Sequence, residues 1–308
     1  MIKFSIALEG DKNIEFYLKI LKELEKSHFY SLQIYEHVPF KPAIPIVSIL
    51  SRFSKKLKVG AVTVPFFLYH PFTLARYSSF LQEISSEKSI LGISRGAYSR
   101  YLGKNVDRRL VRFLEFLDCL NSIFNSKSFK GEYYEYNLDE KMNISFNKLP
   151  EIYVGTSGPK LCEEAVKYPF VKGIIVDNLW NSEYARKMRN IIDYKIETIK
   201  RDENFELIAR PFTYVDENLE MAIKNAERIL EYYIDDLVGN SPMLKDINRN
   251  KLFVENFCCV GNVSKIEKEI EDMIKAGVNH ICFGLPLGKN PIKVIKVLEE
   301  RIVKNFYS

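Results

Sequence analysis

Two hydrophobic periods alternate along this chain. Short apolar, β-branched runs at 2–8, 31–35, 58–62, 89–94, 150–155, 173–176, 206–212 and 279–283 read as buried strands. Between them, apolar residues recur at threes and fours, the spacing of one helix face. Helices are expected over 13–26, 44–53, 71–84, 107–124, 159–168, 182–200, 216–236, 264–276 and 291–303. Phe16, Leu18, Ile20, Leu21 and Leu24 mark the inner face of the first. Leu74, Tyr77, Phe80, Leu81 and Ile84 mark that of the third, and Leu110, Phe113, Leu114, Leu117, Leu120 and Ile123 that of the fourth. Punctuation agrees with this division. Pro71 suits a first helical turn, Asp216 an N-cap and Gly277 a helix stop. Two segments stand outside the alternation. Residues 128–148 are polar and aromatic and read as a hairpin, a lid or an oligomer contact; 239–256 read as an insertion without assigned structure.

A strand, a helix and a second strand follow one another closely within 57–96, which demands a parallel, right-handed crossover. Both strands then end on one rim of the sheet, where α/β proteins place ligands. Eight strands alternating with helices over 308 residues predict a (β/α)8 TIM barrel, one domain over 1–308 with the two insertions. An open doubly wound sheet is the alternative. Against it stand the missing GxGxxG after the first strand and the lack of a composition break.

Composition narrows the function. Apolar residues make up 46%, enough for a substantial core, and 45 Lys+Arg against 40 Asp+Glu leave +5 without a basic block. That pattern excludes a nucleic-acid module. Five cysteines form no CxxC pair and four histidines are scattered, so neither a metal centre nor a disulfide framework is expected. The odd count favours a reducing cytoplasm. No apolar run is long enough to span a bilayer, and the first residues read as a strand rather than a signal peptide.

The candidate chemistry lies at strand ends. Glu36-His37 follows the second run; a histidine there titrates near neutral pH and can take a substrate proton, or it is a surface histidine in a Pro-rich loop. Gly155-Thr156-Ser157-Gly158-Pro159 joins the fifth run to a helix. Its amides and hydroxyls suit a phosphate, with Lys160 nearby, or it is a plain turn with Ser157 as N-cap. Ser94-Arg95-Gly96-Ala97 ends the fourth run. His70 is expected to organise the turn before its helix, and His28, His280, Cys119, Cys162 and Cys282 to be structural.

The segments SLQIYEH, VGAVTVPFFLYHPFTLAR, ILGISRG, YVGTSGPK and AGVNHICFGLPLGKNP, in this order, resemble the bacterial-luciferase-like superfamily, and the GPK most its deazaflavin-dependent branch. The resemblance implies a barrel holding coenzyme F-420 (an 8-hydroxy-5-deazaflavin), or alternatively FMN, at the strands' carboxyl ends. It implies a non-prolyl cis peptide at Ala61-Val62 behind the cofactor's middle ring. It implies cofactor contacts from Glu36, His37, Ala61, Val62, Val64, Ser94, Gly96, Ala97, Gly155, Thr156, Ser157 and Gly158, with His37 and Glu36 catalytic. Relatives often have Asp at Glu36, and Ala-Asp-Gly where this chain has Val171-Lys172-Gly173. The implied activity is hydride transfer between the deazaflavin and a small organic substrate, in a homodimer. The alternatives are an FMNH₂-dependent monooxygenase using molecular oxygen, and a barrel that binds without turnover.

Overall fold

Each of the eight apolar runs becomes a strand of one closed, parallel barrel. The computed structural model describes residues 2–96, 99–102, 110–138, 146, 148–201, 204–231 and 257–307. Around the barrel the strands are β1 (Lys3–Glu9), β2 (Ser31–Tyr35), β3 (Lys58–Pro65), β4 (Ser89–Ser94), β7 (Glu151–Gly155), β8 (Val171–Asp177), β9 (Glu206–Arg210) and β12 (His280–Phe283), which closes on β1. Parallel neighbours need crossovers. Helices α1 (Ile14–Leu24), α2 (Ala43–Phe53), α3 (Pro71–Ile84), α4 (Leu110–Phe124), α5 (Pro159–Ala165), α6 (Ser182–Ile199), α7 (Leu219–Leu230) and α8 (Val263–Lys275) supply them, and α9 (Pro291–Arg301) follows the last strand. The expected (β/α)8 barrel is therefore the fold.

Strand side chains alternate between the barrel's inside and its helical jacket. The inward set has three layers. In the middle, Ala7, Val62, Ile90, Tyr153, Ile175, Ile208 and Cys282 form a buried apolar plug. At the strands' amino ends a polar network closes the barrel. Lys3 Nζ donates to Glu206 at 2.6 Å, the fully buried His280 pairs with Glu206 at 2.9 Å and with Ser5 at 2.8 Å, and Lys58 donates to Glu151 at 2.5 Å. At the carboxyl ends the layer is polar again, with Glu9, Tyr35, Asp177 and Arg210 as last strand residues.

Several boundaries differ from expectation. The strand expected over 206–212 is cut at Pro211, which cannot donate to a ladder. Its continuation, β10 (Phe212–Val215), leaves the barrel and pairs with β11 (Cys258–Gly261) and β13 (Pro286–Leu287) in a separate parallel sheet. The helix expected from Asp216 starts at Leu219, because Asn218 caps it at the Met221 amide while Asp216 takes the Asn218 amide. The helix after β7 stops at Ala165 rather than 168, and β8 begins at Val171, so Val171-Lys172-Gly173 lies within a strand. Tyr77 and Phe80 point outward, 41% and 50% exposed, because Leu74, Ala75, Ser78 and Leu81 form the inner face of α3.

In 128–148, β5 (Phe129–Lys130) and β6 (Glu135–Tyr136) make an antiparallel hairpin. It is tied to α4, since Glu115 accepts the Tyr133 and Tyr134 amides at 2.6 and 2.8 Å, and to α3, where Tyr136 stacks on Phe72. The insertion expected at 239–256 lies outside the described residues. His70 caps α3 through Nδ1 at the Phe72 amide, and all five cysteines are buried free thiols. Among the described residues no helix is long and apolar enough to cross a membrane.

Candidate active site

The site is assembled at the carboxyl ends of the strands, and β3 is its centre. Along β3, Ala61 still pairs with Leu91 of β4, but Val64 pairs with Ile93. Two residues on β3 thus face one on β4, so Val62 and Thr63 form a bulge opposite Gly92. The non-prolyl cis peptide is Val62-Thr63, one residue beyond the expected Ala61-Val62. Ala61 remains in register with both Ile34 and Leu91, so regular pairing ends only after it.

Neighbouring strands make room for the bulge and satisfy its backbone. A Cβ on Gly92 would come within 2.6 Å of Val62 Cγ1, and one on Gly155 within 2.8 Å of Thr63 Cγ2, so only glycine fits at either position. The Thr63 carbonyl accepts the Glu36 amide at 3.1 Å, and the Val62 carbonyl accepts Arg210 Nη1 at 2.5 Å. Val62 lies in the inward plug, while Ala61 and Val64 pack in the core between barrel and helices.

Tyr35, Glu36 and His37 diverge after β2. Glu36 is a bracket: its carboxylate accepts the Ala43 amide at 3.0 Å, where α2 begins, and the Tyr69 hydroxyl at 2.9 Å. Burial pushes its carboxyl pKa up, against the opposing pull of those two donors. His37 instead sets Nδ1 2.8 Å from Glu9 Oε2, with the His37 side chain 19% exposed and that of Glu9 7%. Glu9 is held by α1, because the Tyr17 hydroxyl donates to the Glu9 carbonyl at 2.6 Å. The acid partner of His37 is therefore Glu9 from β1, not its sequence neighbour. Tyr35 meets the His37 ring edge to face, with centroids 4.9 Å apart.

On the other side, Ser94 pairs with Gly155, and its hydroxyl accepts the Gly96 amide at 3.2 Å where the chain turns with φ +74°. Ala97 lies outside the described residues. In the turn after β7, Thr156 gives its amide to Ile175 at 2.9 Å and its hydroxyl accepts the Gly158 amide at 2.9 Å. The Tyr184 hydroxyl donates to the Ser157 carbonyl at 2.5 Å. Gly158, not Ser157, is the N-cap of α5. These internal bonds preform the turn and already engage two of the amides expected to face a phosphate.

Glu9, Thr63, Asp177 and Arg210 were not expected as site residues. Strand alternation held the signal, since Glu9, Asp177 and Arg210 each occupy the last inward position of a barrel strand. Asp177 and Arg210 are in register on adjacent strands, and Arg210 donates through Nε and Nη2 to the two Asp177 oxygens at 2.5 and 3.0 Å. Burial works against the Arg210 charge, but Asp177 more than offsets it and holds its pKa above the ordinary value.

Comparison with known proteins gives one consistent picture. The model of a family described as luciferase-like monooxygenase matches residues 4–280. A 5,10-methylenetetrahydromethanopterin reductase of Archaeoglobus fulgidus is 23% identical, over 98% of this chain and 99% of that protein. The coenzyme F-420 dependent tetrahydromethanopterin reductase of Methanopyrus kandleri has the same fold, with TM-score 0.84 and 17% identity over 99% of both chains. The monooxygenase RslO1 of Streptomyces bottropensis superposes with TM-score 0.80 and 16% identity, over 99% of this chain and 100% of that one.

Proposed function

Since the chain belongs to the luciferase-like monooxygenase family, we propose that it is an oxidoreductase working with coenzyme F-420, moving a hydride to or from a small organic substrate. The observation that carries this reading is the β3 bulge. Val62 enters the barrel from it, below a rim that holds the Glu9–His37 pair. The residues present fit a flat group with a polar tail. Val62 offers an apolar platform, and the turns at 94–96 and 155–158 offer hydroxyls, with Lys160 the nearby cation for a phosphate. The M. kandleri reductase, named as coenzyme F-420 dependent, favours F-420 over FMN.

When bound, the deazaflavin supplies the carbon that accepts or gives the hydride. The chain's own work is to bind, orient and move a proton. Because Glu9 faces the His37 ring at Nδ1, the proton chemistry is assigned to Nε2. In the oxidising direction His37 takes the substrate proton as hydride departs, and in the reducing direction it returns that proton. Glu36 is assigned to the framework of the site through Ala43 and Tyr69. Direct contact of Ala61 and Val64 with the coenzyme is proposed through their backbone at the bulge edges. A homodimer is proposed through the outer faces of α2 and α3, where Ile49, Phe53, Tyr77 and Phe80 are 44%, 60%, 41% and 50% exposed.

Titration of the protein with oxidised and reduced F-420 tests the coenzyme. Saturable binding with a change in the coenzyme's absorbance supports the reading, and no binding of either form refutes it. The second reading, a monooxygenase using FMNH₂ and oxygen, draws support from the likeness to RslO1. Substrate-dependent oxygen uptake with reduced FMN, together with no F-420 binding, would favour it.

A further inference from the structure

Arg210 sits at the carboxyl end of β9 and is 5% exposed. A buried guanidinium needs partners for all its edges, because an unmatched buried charge is far costlier than a neutral group. Here one edge forks onto Asp177 through Nε and Nη2, the geometry that a guanidinium and a carboxylate share. The Tyr35 ring covers the guanidinium carbon at 5.3 Å. The remaining Nη1 crosses the barrel and donates to the Val62 carbonyl, 148 residues away in the chain. Val62 cannot offer that carbonyl to a regular β4 ladder, since the register shifts there. The Asp177–Arg210 pair is thus anchored on two adjacent strands and fastens the bulge of a third strand.

We propose that Arg210 is a positioning residue for the reaction: aimed by Asp177, it clamps the Val62 carbonyl and so fixes the height of the β3 bulge beneath the coenzyme ring. The last clause rests on the coenzyme reading above; the clamp itself is a property of the ligand-free protein. Lysine cannot replace the clamp fully, because one ammonium cannot fork onto Asp177 and reach the carbonyl with the same fixed angle.

Hydrogen exchange on the full ligand-free chain tests the clamp. In Arg210→Gln, amides over 58–66 should exchange about tenfold faster or more, with 151–155 unchanged. Asp177→Asn keeps the guanidinium but loosens its aim, and should give a smaller increase confined to the same segment. Because Asp177 is half exposed, that variant carries the test if Arg210→Gln does not fold. Glu206→Gln, at the opposite end of the barrel, is the control for general destabilisation and should leave 58–66 unchanged relative to 151–155. Unaltered exchange over 58–66, or a uniform rise in all strands, overturns the proposal.

With F-420 and a turned-over substrate, Arg210→Gln should lower kcat about 100-fold while the coenzyme Kd changes less than about fivefold. Arg210→Lys should recover part of the kcat. Parallel losses in kcat and coenzyme affinity, without recovery in Arg210→Lys, overturn the positioning role. If the wild-type protein binds no F-420, the coenzyme reading fails, and the exchange result still decides the clamp.

Discussion

Glu36 and His37 are adjacent in the chain but make different contacts. Removing the Glu36 carboxylate leaves the buried Ala43 amide and the Tyr69 hydroxyl without their acceptor. Glu36→Ala should therefore lower stability by roughly 1–3 kcal/mol, measured by urea unfolding. His37 is half-buried at the rim, so His37→Ala should leave the unfolding midpoint nearly unchanged while lowering kcat about 10²- to 10⁴-fold. Equal stability loss in the two variants would contradict this division. Glu9→Gln keeps the shape of the His37 contact but removes its charge. It should lower kcat without altering the far-ultraviolet circular dichroism, since the His37 ring loses the carboxylate that faces it.

At the scale of elements, the β3 bulge depends on what neighbouring strands lack. Gly92 faces the bulge, and a methyl there would lie 2.6 Å from Val62 Cγ1 and 3.1 Å from Val62 Cα. One of those contacts is backbone, so a rotamer change of Val62 does not relieve it. Gly92→Ala should cost roughly 1–3 kcal/mol by overpacking and weaken coenzyme binding at the same time. Isothermal denaturation and a coenzyme titration on the same preparation check both parts. A variant with wild-type stability and affinity would mean that the bulge is softer than its packing suggests. The hairpin of β5 and β6 is a different kind of element. Its Tyr134 and Tyr136 are buried and Glu115 of α4 holds its backbone, so it is anchored on the helical jacket.

For the whole molecule, the amino end of the barrel carries a buried ion network opposite the candidate site. At the amino end, burial alone would push the Glu206 pKa up, but the His280 hydrogen bond and charge, with Lys3, bring it down to about 2. A carboxylate depressed in the folded state stabilises fully above its unfolded pKa and loses that contribution as pH falls through the folded value. The loss runs here from about pH 4.5 to about pH 2 and amounts to roughly 3 kcal/mol. Stability of the wild type should fall more steeply over that window than stability of Glu206→Gln, as followed by denaturant midpoints at each pH. The outer surface carries a separate expectation. Phe53→Glu with Phe80→Glu should convert the proposed dimer to a monomer in light scattering without changing the far-ultraviolet circular dichroism, because both side chains are exposed.

The barrel itself was legible in the sequence because strand and helix periods are local, and the parallel crossover rule turns their order into a topology. All eight runs became barrel strands, and His70, Cys119, Cys162 and Cys282 took the structural places expected of them. Superfamily resemblance brought the strand-end segments to attention, down to a cis peptide displaced by one residue, from Ala61-Val62 to Val62-Thr63. Local pattern missed Pro211, where a continuous apolar run hides a change of sheet, and Tyr77 and Phe80, whose apolarity fits either face of α3. The partners of the site lay further out of reach. His37, beyond β2, meets Glu9 at the end of the neighbouring β1, and Arg210 meets Val62 across the barrel. Chain order dictates which strands are neighbours, but register and closure decide which side chains share a layer. Those follow from packing all eight strands at once, so the sequence by itself determined the scaffold and only the tertiary structure decided the pairs that make it a site.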